Sequence, residues 1–449
     1  MTSSFRYALS LSVGCFLATA GAFGAPHAAT AQEATDSLRL QIERLAVLVD
    51  SLSREVERLR ADGQEEEAED ALARLRAAAA AAAGGARAPQ REEQSFVGRQ
   101  RSLQSLNPEI SLNADMLAHF NTSDPDADNF IPRDFELSIQ SALDPFSRAK
   151  VFLVQDTPGG EIEPFADRAE AGAGAEEGGG VRVEEGYVEW VSLPGGVGVK
   201  FGRFFQRFGT LNRWHIHALP FESRSLPHIA FFGQEPLGQS GVSVTWLAPF
   251  GGGRSGTYEA TVEVTRAAND LLFGAATSPT LLGNINGFWT LSEATDLDLA
   301  LTWLIGEFQD PSESFNRNVY SAEMSFNWIP PARSRRRGLM VRAGYMVLDG
   351  LNGQGGGGAA ETASGFWSLA ELKLSPTWLV GARFDRVENP TDPDVTQWMT
   401  SATLTWWQSE FVRIRAEYDF LSGVQGGDGS GRFILQTTFA MGPHKHSTY

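Results

Sequence analysis

From Glu109 onward the chain alternates apolar and polar residues with a period of two, in segments of about ten residues, and no other feature narrows its fold as far. Over residues 410–420, Val412, Ile414, Ala416, Tyr418 and Phe420 share one face, and Arg413, Arg415, Glu417 and Asp419 share the other. The same split sets Phe135, Leu137 and Ile139 against Asp134, Glu136 and Ser138, and Leu297, Leu299, Leu301, Trp303 and Ile305 against Asp296, Asp298 and Thr302. A period of two is the signature of strands with two chemically different faces. No stretch after residue 25 approaches the roughly 20 apolar residues of a spanning helix. If this region crosses a membrane, it does so as a closed barrel, because lipid leaves no partner for an open sheet edge.

A soluble sandwich would alternate in the same way, with its apolar faces turned to a dry core. Aromatics at segment ends favour the membrane: Trp190, Trp246, Trp328, Trp378, Trp406, Trp407, Phe411 and Phe439 stand where two interfacial girdles are expected. Sixteen segments are predicted, near residues 110–120, 132–142, 148–156, 181–193, 196–204, 238–248, 256–265, 280–291, 296–307, 316–329, 338–348, 364–374, 377–388, 396–407, 410–420 and 432–441. The number is even, as single-chain bacterial barrels require. Most connections after even-numbered segments are short, such as Asp144-Pro145 and Pro194-Gly195, whereas those after odd-numbered ones include the long stretches 157–180, 205–237 and 349–363. That parity sets short periplasmic turns against longer outer loops. The expected fold is all-β: a transmembrane antiparallel β-barrel of about sixteen strands over 109–449, preceded by an N-terminal α-helical coiled coil.

The N-terminal third is different in kind. Arg6 precedes an apolar stretch over 7–25, and Ala29-Thr30-Ala31 follows, which together read as a signal peptide over 1–31 cleaved before Gln32. Within 32–83, Ile42, Val49 and Val56 recur every seven residues, with Leu38, Leu45, Leu52 and Leu59 interleaved, a heptad seam flanked by Arg and Glu. Residues 84–108 are polar with Gly and Pro at their ends and read as a linker. The expected location is the bacterial outer membrane, with the coiled coil in the periplasm.

Composition removes several function classes. The 37 Lys and Arg against 55 Asp and Glu give a net charge of −18, which disfavours nucleic acid as a partner. The one cysteine, Cys15, lies in the signal segment, so the mature chain has no disulfide, thiolate metal site or cysteine nucleophile. No nucleophile elbow, phosphate loop, zincin helix or cofactor motif occurs, so neither an enzyme activity nor a cofactor is expected.

The longest connection, 205–237, is a basic island in this acidic chain. It carries Arg207, Arg213, Arg224, His215, His217 and His228 against Glu222 and Glu235. Phe204, Phe205, Phe208, Trp214, Phe221, Phe231 and Phe232 supply apolar anchors for holding it to a wall. Two chemistries fit. Arg forks suit oxyanions, which would make the segment an anion-selective constriction. Alternatively the same Arg residues pair with carboxylates of the barrel interior, Glu185, Glu189, Glu259 and Glu263, in a mixed polar pore that Lys200, Arg383, Arg413, Arg415 and Glu417 also line. His215 and His217 lie two apart, but no carboxylate triad accompanies them in sequence, so they read as exposed loop histidines and no metal site is assigned. His444 and His446 near the C-terminus read the same way.

The stretch Lys200-Phe201-Gly202-Arg203 through Phe208-Gly209-Thr210-Leu211-Asn212 to His217 and Pro220, with the closing run from Phe433 to His446, resembles the outer-membrane porins grouped with the phosphate-selective porins. The resemblance implies a passive diffusion channel for small hydrophilic solutes, a trimer set in outer-membrane lipid and lipopolysaccharide, with its third outer loop, 205–237, at the constriction. The chain departs from that group in having only Lys150 and Lys200 before the twelfth segment, where phosphate-selective members carry a run of lysines. The competing expectation is a non-conducting barrel that tethers or adheres through its coiled coil.

Overall fold

The computed structural model describes residues 108–442 apart from 123–127, 158, 160, 161, 163, 166–179, 252–255, 312, 352–361 and 423–428. The signal peptide, the coiled coil, nearly all of the linker, the C-terminal histidines and most of the glycine-rich outer loops lie outside the described residues. The chain divides into two units, residues 1–96 and 97–449, and every described residue belongs to the second.

All sixteen predicted segments form strands, and no end moves by more than three residues (132 becomes Asn129). They are β1 (Glu109–Asn121), β2 (Asn129–Ala142), β3 (Ser147–Asp156), β4 (Arg182–Leu193), β5 (Val197–Phe205), β6 (Gly238–Leu247), β7 (Thr257–Arg266) and β8 (Pro279–Ser292). The second half comprises β9 (Thr295–Gln309), β10 (Ser314–Trp328), β11 (Gly338–Asp349), β12 (Thr362–Lys373), β13 (Trp378–Glu388), β14 (Thr396–Trp407), β15 (Val412–Leu421) and β16 (Ser430–Met441). Each pairs antiparallel with its neighbours in sequence, and β1 pairs with β16 from Leu112 opposite Met441 to Asn121 opposite Arg432. Closure leaves no unpaired edge, the condition for strands in lipid.

Exposure runs opposite to that of a soluble sandwich. On β15 the charged residues Arg413, Arg415, Glu417 and Asp419 are 1–7% exposed, whereas Tyr418 between them is 47% exposed. Leu301, Ile285, Leu404 and Leu435 are likewise exposed, and Thr302, Asn284, Thr403 and Gln436 beside them are buried. Large apolar side chains turned outward around a closed sheet suit a hydrocarbon solvent, not water. Among the described residues no helix is long and apolar enough to cross a membrane.

The aromatic girdles differ from expectation in one respect. All eight aromatics singled out in the sequence lie at the rim of the short connections, where Trp378 and Trp406 stack at 6.1 Å. Toward the other rim a different set pairs across strands, including Phe120 with Phe433 at 6.3 Å, Trp398 with Phe420 at 5.6 Å and Phe366 with Phe384 at 6.4 Å. Phe120 and Phe420 lie one residue from their strand ends, whereas Phe433, Phe366 and Phe384 sit a few residues inside, where a search confined to termini does not reach.

The interior is not uniformly polar. Leu282, Leu304, Val319, Met346, Leu348, Trp367, Leu369 and Val387 point inward from β8 to β13 and form one buried apolar cluster with Phe208, Leu211, Phe221 and α1 (Leu226–Phe232), all from the β5–β6 connection. A second short helix, α2 (Asp270–Phe273), from the β7–β8 connection, adds Leu272 and Phe273. Asn269 caps it, its side chain accepting from the Leu272 amide at 2.9 Å, and donates to the Phe232 carbonyl at 2.7 Å, which ties the two connections together.

Candidate functional site

The chain between β5 and β6 enters the barrel and is held to the wall on several sides. Its first anchors are to β7, β9 and β10: Arg207 pairs with Glu259 and its amide donates to Glu263 at 3.1 Å. The Gly209 amide donates to Thr302 at 3.2 Å, and the Thr210 amide and hydroxyl both donate to Glu323, at 2.7 and 2.9 Å. Gly209 has φ +60°, which favours glycine, and a Cβ there would push the Glu323 carboxylate away from the Thr210 amide it accepts from.

Beyond Trp214, whose ring lies 4.6 Å beneath the Arg342 guanidinium, the segment reaches the opposite wall. His215 Nδ1 is 2.6 Å from Glu136 Oε2 on β2 and 2.7 Å from Glu184 Oε2 on β4, and its Nε2 is 3.2 Å from Glu185 Oε2. His217 Nδ1 is 3.1 Å from Asp134. Burial alone would depress the His215 pKa, but Glu136 and Glu184 outweigh it and hold the imidazole well above its ordinary value. His217 is raised in the same sense, against burial, by Glu136 and Asp134. Arg413 and Arg415 on β15 then donate to the carbonyls of His217 and Leu219, at 2.6 and 2.9 Å.

Glu222 is the hub of the far side. Its Oε1 accepts from Arg133 of β2 at 2.7 Å, its Oε2 from Arg432 of β16 at 2.6 Å, and its amide donates to Glu417 of β15 at 2.8 Å. Arg383 of β13 donates to the Ser223 carbonyl at 2.7 Å and lies 4.9 Å over the Phe221 ring. Asp385, one position further along the same face, accepts from the Leu226 amide at 3.0 Å, satisfying one of the orphan donors at the start of α1. Gly365 lets α1 sit this close, since a Cβ would come within 2.6 Å of Pro227. Leu226, Ile229, Phe231 and Phe232 are then buried, each contributing up to about 1.5–3 kcal/mol. The segment also closes on itself: Arg224 donates to the carbonyls of Leu211 and Trp214, and Asn212 accepts from the Leu237 amide at 2.8 Å.

Against expectation, His215 and His217 are not exposed, at 2% and 4%, and His228 is buried as well. Nor do the carboxylates that flank His215 come from its own neighbourhood in sequence; they arrive from β2 and β4. Arg207 anchors the segment to the wall, and Glu185, Glu259, Glu263, Arg383, Arg413, Arg415 and Glu417 all meet it from the wall. Arg213 is half-buried beside Arg207, and burial pulls its guanidinium down to about 10, so it stays charged at neutral pH. Arg224 faces backbone carbonyls, not a lumen carboxylate. Glu189 pairs with Arg148 of β3, and Lys200 lies 4.4 Å from the centre of the Tyr187 ring of β4, so both make strand-to-strand contacts. Arg133, Glu136, Glu184, Asp385 and Arg432 were not singled out; their alternation marks them as interior, but only the barrel's closure brings them together.

His228 provides an acid-sensitive latch. Burial, with Arg224 adding to it, pushes the imidazole down to about 3, and its Nδ1 lies 2.7 Å from the Ser225 hydroxyl. Between pH 6.5 and about 3 the undocked segment takes up a proton at His228 that the docked one refuses, so this histidine's contribution weakens docking around α1 as pH falls. The raised His215 and His217 act in the opposite sense at the β2–β4 end of the segment. By pH 5 the loss is about 2 kcal/mol. Limited proteolysis of the folded protein should therefore cut within 224–233 faster at pH 5 than at pH 7, and His228→Gln should flatten that difference; equal rates at both pH values in the unsubstituted protein would contradict it.

No protein-family model matches the chain, and no curated protein matches it in sequence. Solved structures do resemble it. OprB of Pseudomonas putida in its high-pH structure aligns with a TM-score of 0.53 at 12% identity, over 77% of this chain and 97% of that one. The anion-selective porin from Comamonas acidovorans aligns with a TM-score of 0.51 at 10% identity, over 74% and 99%. At such identities the likeness is one of fold: the barrel region has the architecture of bacterial porins.

Proposed function

We propose that this chain is an outer-membrane porin, a water-filled channel for passive diffusion of small hydrophilic solutes, with the β5–β6 segment as its constriction. One observation carries the proposal: a sixteen-stranded barrel, wide enough to hold an aqueous channel, is crossed inside by a segment that wall charges fix on several sides. Arg207, Arg213, His215, His217, Arg224 and His228 belong to that segment, and Glu185, Glu259, Glu263, Arg383, Arg413, Arg415 and Glu417 to the wall facing it. The functional form is an oligomer, a trimer by resemblance, in outer-membrane lipid and lipopolysaccharide.

Anion selectivity, which the name of the Comamonas protein carries, is not what this lining favours. One small cavity, about 60 Å³, beside the segment at β2–β4 is bordered by Arg133, Arg182 and Arg224 against Asp134, Asp156, Glu184, Glu222 and Glu235, three cations to five carboxylates. Mixed charge with a carboxylate excess suits neutral polar solutes and cations. The test is the reversal potential of the refolded protein in a KCl gradient. A value near zero or on the cation side is expected, moving further toward cations in Arg207→Ala/Arg213→Ala; an anion-selective potential would overturn this preference.

A further inference from the structure

We propose that Glu136, Glu184 and His215 form a binding site for one divalent transition-metal ion, Zn²⁺ by ligand type, at the junction of the β5–β6 segment with β2 and β4. The three ligand atoms lie within 4.8 Å of one another and all three residues are buried. They come from three separate elements, so the site exists only while the segment is docked. Two carboxylate oxygens converge on a single imidazole nitrogen, Nδ1, at 2.6 and 2.7 Å. Tetrahedral ligands at about 2.0–2.2 Å from a metal stand about 3.4 Å from one another, so binding would replace the shared proton and move both carboxylate oxygens outward from Nδ1 by about 0.7–0.8 Å.

The surroundings orient the ring for that role. Glu185 lies 3.2 Å from Nε2, positioned to go on accepting its proton when a metal ion displaces the proton that Nδ1 shares with Glu136 and Glu184. This is the carboxylate–histidine–metal arrangement that fixes the tautomer of ligating imidazoles. Phe152 and Phe205 lie against the ring, with centroids 4.7 and 4.9 Å away, and hold its orientation. Glu185 is itself held by the Phe205 amide, at 2.7 Å. Charge balance points the same way: Asp134, Glu136, Glu184 and Glu185 gather around His215 and His217. Arg182, 3.9 Å from the Glu184 carboxylate, is shared with Asp156 and Glu235, and Arg203 donates to the Glu184 main-chain carbonyl at 3.1 Å. One nitrogen and two carboxylate oxygens suit Zn²⁺ better than Ca²⁺ or Mg²⁺, which favour all-oxygen shells.

The test uses the full-length protein without an affinity tag, refolded in detergent and shown folded by heat-modifiable migration on a gel. Equilibrium dialysis against Zn²⁺ should give one tightly held ion per chain, and Co²⁺ should give a visible absorption band of a nitrogen- and oxygen-ligated site. His215→Ala or Glu184→Gln should weaken Zn²⁺ binding about 100-fold or more, and Glu185→Gln by about 10–100-fold. The double variant His444→Ala/His446→Ala should bind as the unsubstituted chain does. Absence of stoichiometric Zn²⁺ binding, or undiminished binding in folded His215→Ala, overturns the site; if that variant does not fold, undiminished binding in Glu184→Gln does so instead. Binding is read without conductance, so its failure leaves the channel proposal standing, and the reverse also holds.

Discussion

Replacing Glu222 by alanine is expected to free the far side of the β5–β6 segment and widen the channel. Both carboxylate oxygens of Glu222 are engaged, one by Arg133 and one by Arg432, and all three side chains are 7% exposed or less. Each guanidinium keeps one other carboxylate, Asp115 for Arg133 and Asp419 for Arg432, so neither is stranded completely. Removing one member of a buried charged cluster costs about 3–5 kcal/mol, and the retained partners place this case at the lower end. That cost falls on docking of the segment, because the barrel hydrogen bonds do not involve Glu222. Larger single-channel steps and faster proteolysis within 215–225 should follow, with Glu222→Gln intermediate because it still accepts one hydrogen bond. Unchanged steps and unchanged protection would mean that the remaining wall contacts hold the segment without Glu222.

The second large effect concerns the outer surface. Leu301 is 57% exposed near the middle of β9, and Leu247 is 45% exposed at the end of β6. In water an exposed leucine accepts arginine within about 0.5 kcal/mol. In a bilayer the cost depends on depth, about 2–4 kcal/mol at the midplane and about 0–1 near the interface. Leu301→Arg should therefore destabilise the barrel by about 2–4 kcal/mol in reversible urea unfolding from lipid vesicles, and Leu247→Arg by no more than about 1 kcal/mol. Equal, small effects at both positions would mean that this surface does not face lipid.

The strands were legible because each one carries its own signal. On β15 four charged residues alternate with apolar ones, and no neighbour is needed to read the pattern. The inward apolar patch was harder to see. Over Leu301–Ile305 both faces are apolar apart from Thr302, so alternation fades where Leu304 turns inward to meet the buried cluster. That loss of contrast was the available sign that something apolar fills the barrel there, and Phe231 and Phe232 were its counterpart. The histidine environment left no local trace. His215 meets carboxylates about 80 and 30 positions away in sequence, and only closure of the sheet and entry of the segment bring Glu136 and Glu184 to it. Glu222 shows the same limit: in sequence it is one of two acids in a basic stretch, and in the barrel it joins β2, β15 and β16.

The most direct test of the channel itself is the single-channel conductance of the full-length protein, refolded and inserted into a planar bilayer. Stepped, ion-conducting insertions are predicted, with larger steps when the segment is shortened between Arg207 and Pro236. A silent bilayer, from protein whose folded state is shown by heat-modifiable migration, would contradict the channel and turn attention to a non-conducting barrel that tethers through its N-terminal segment.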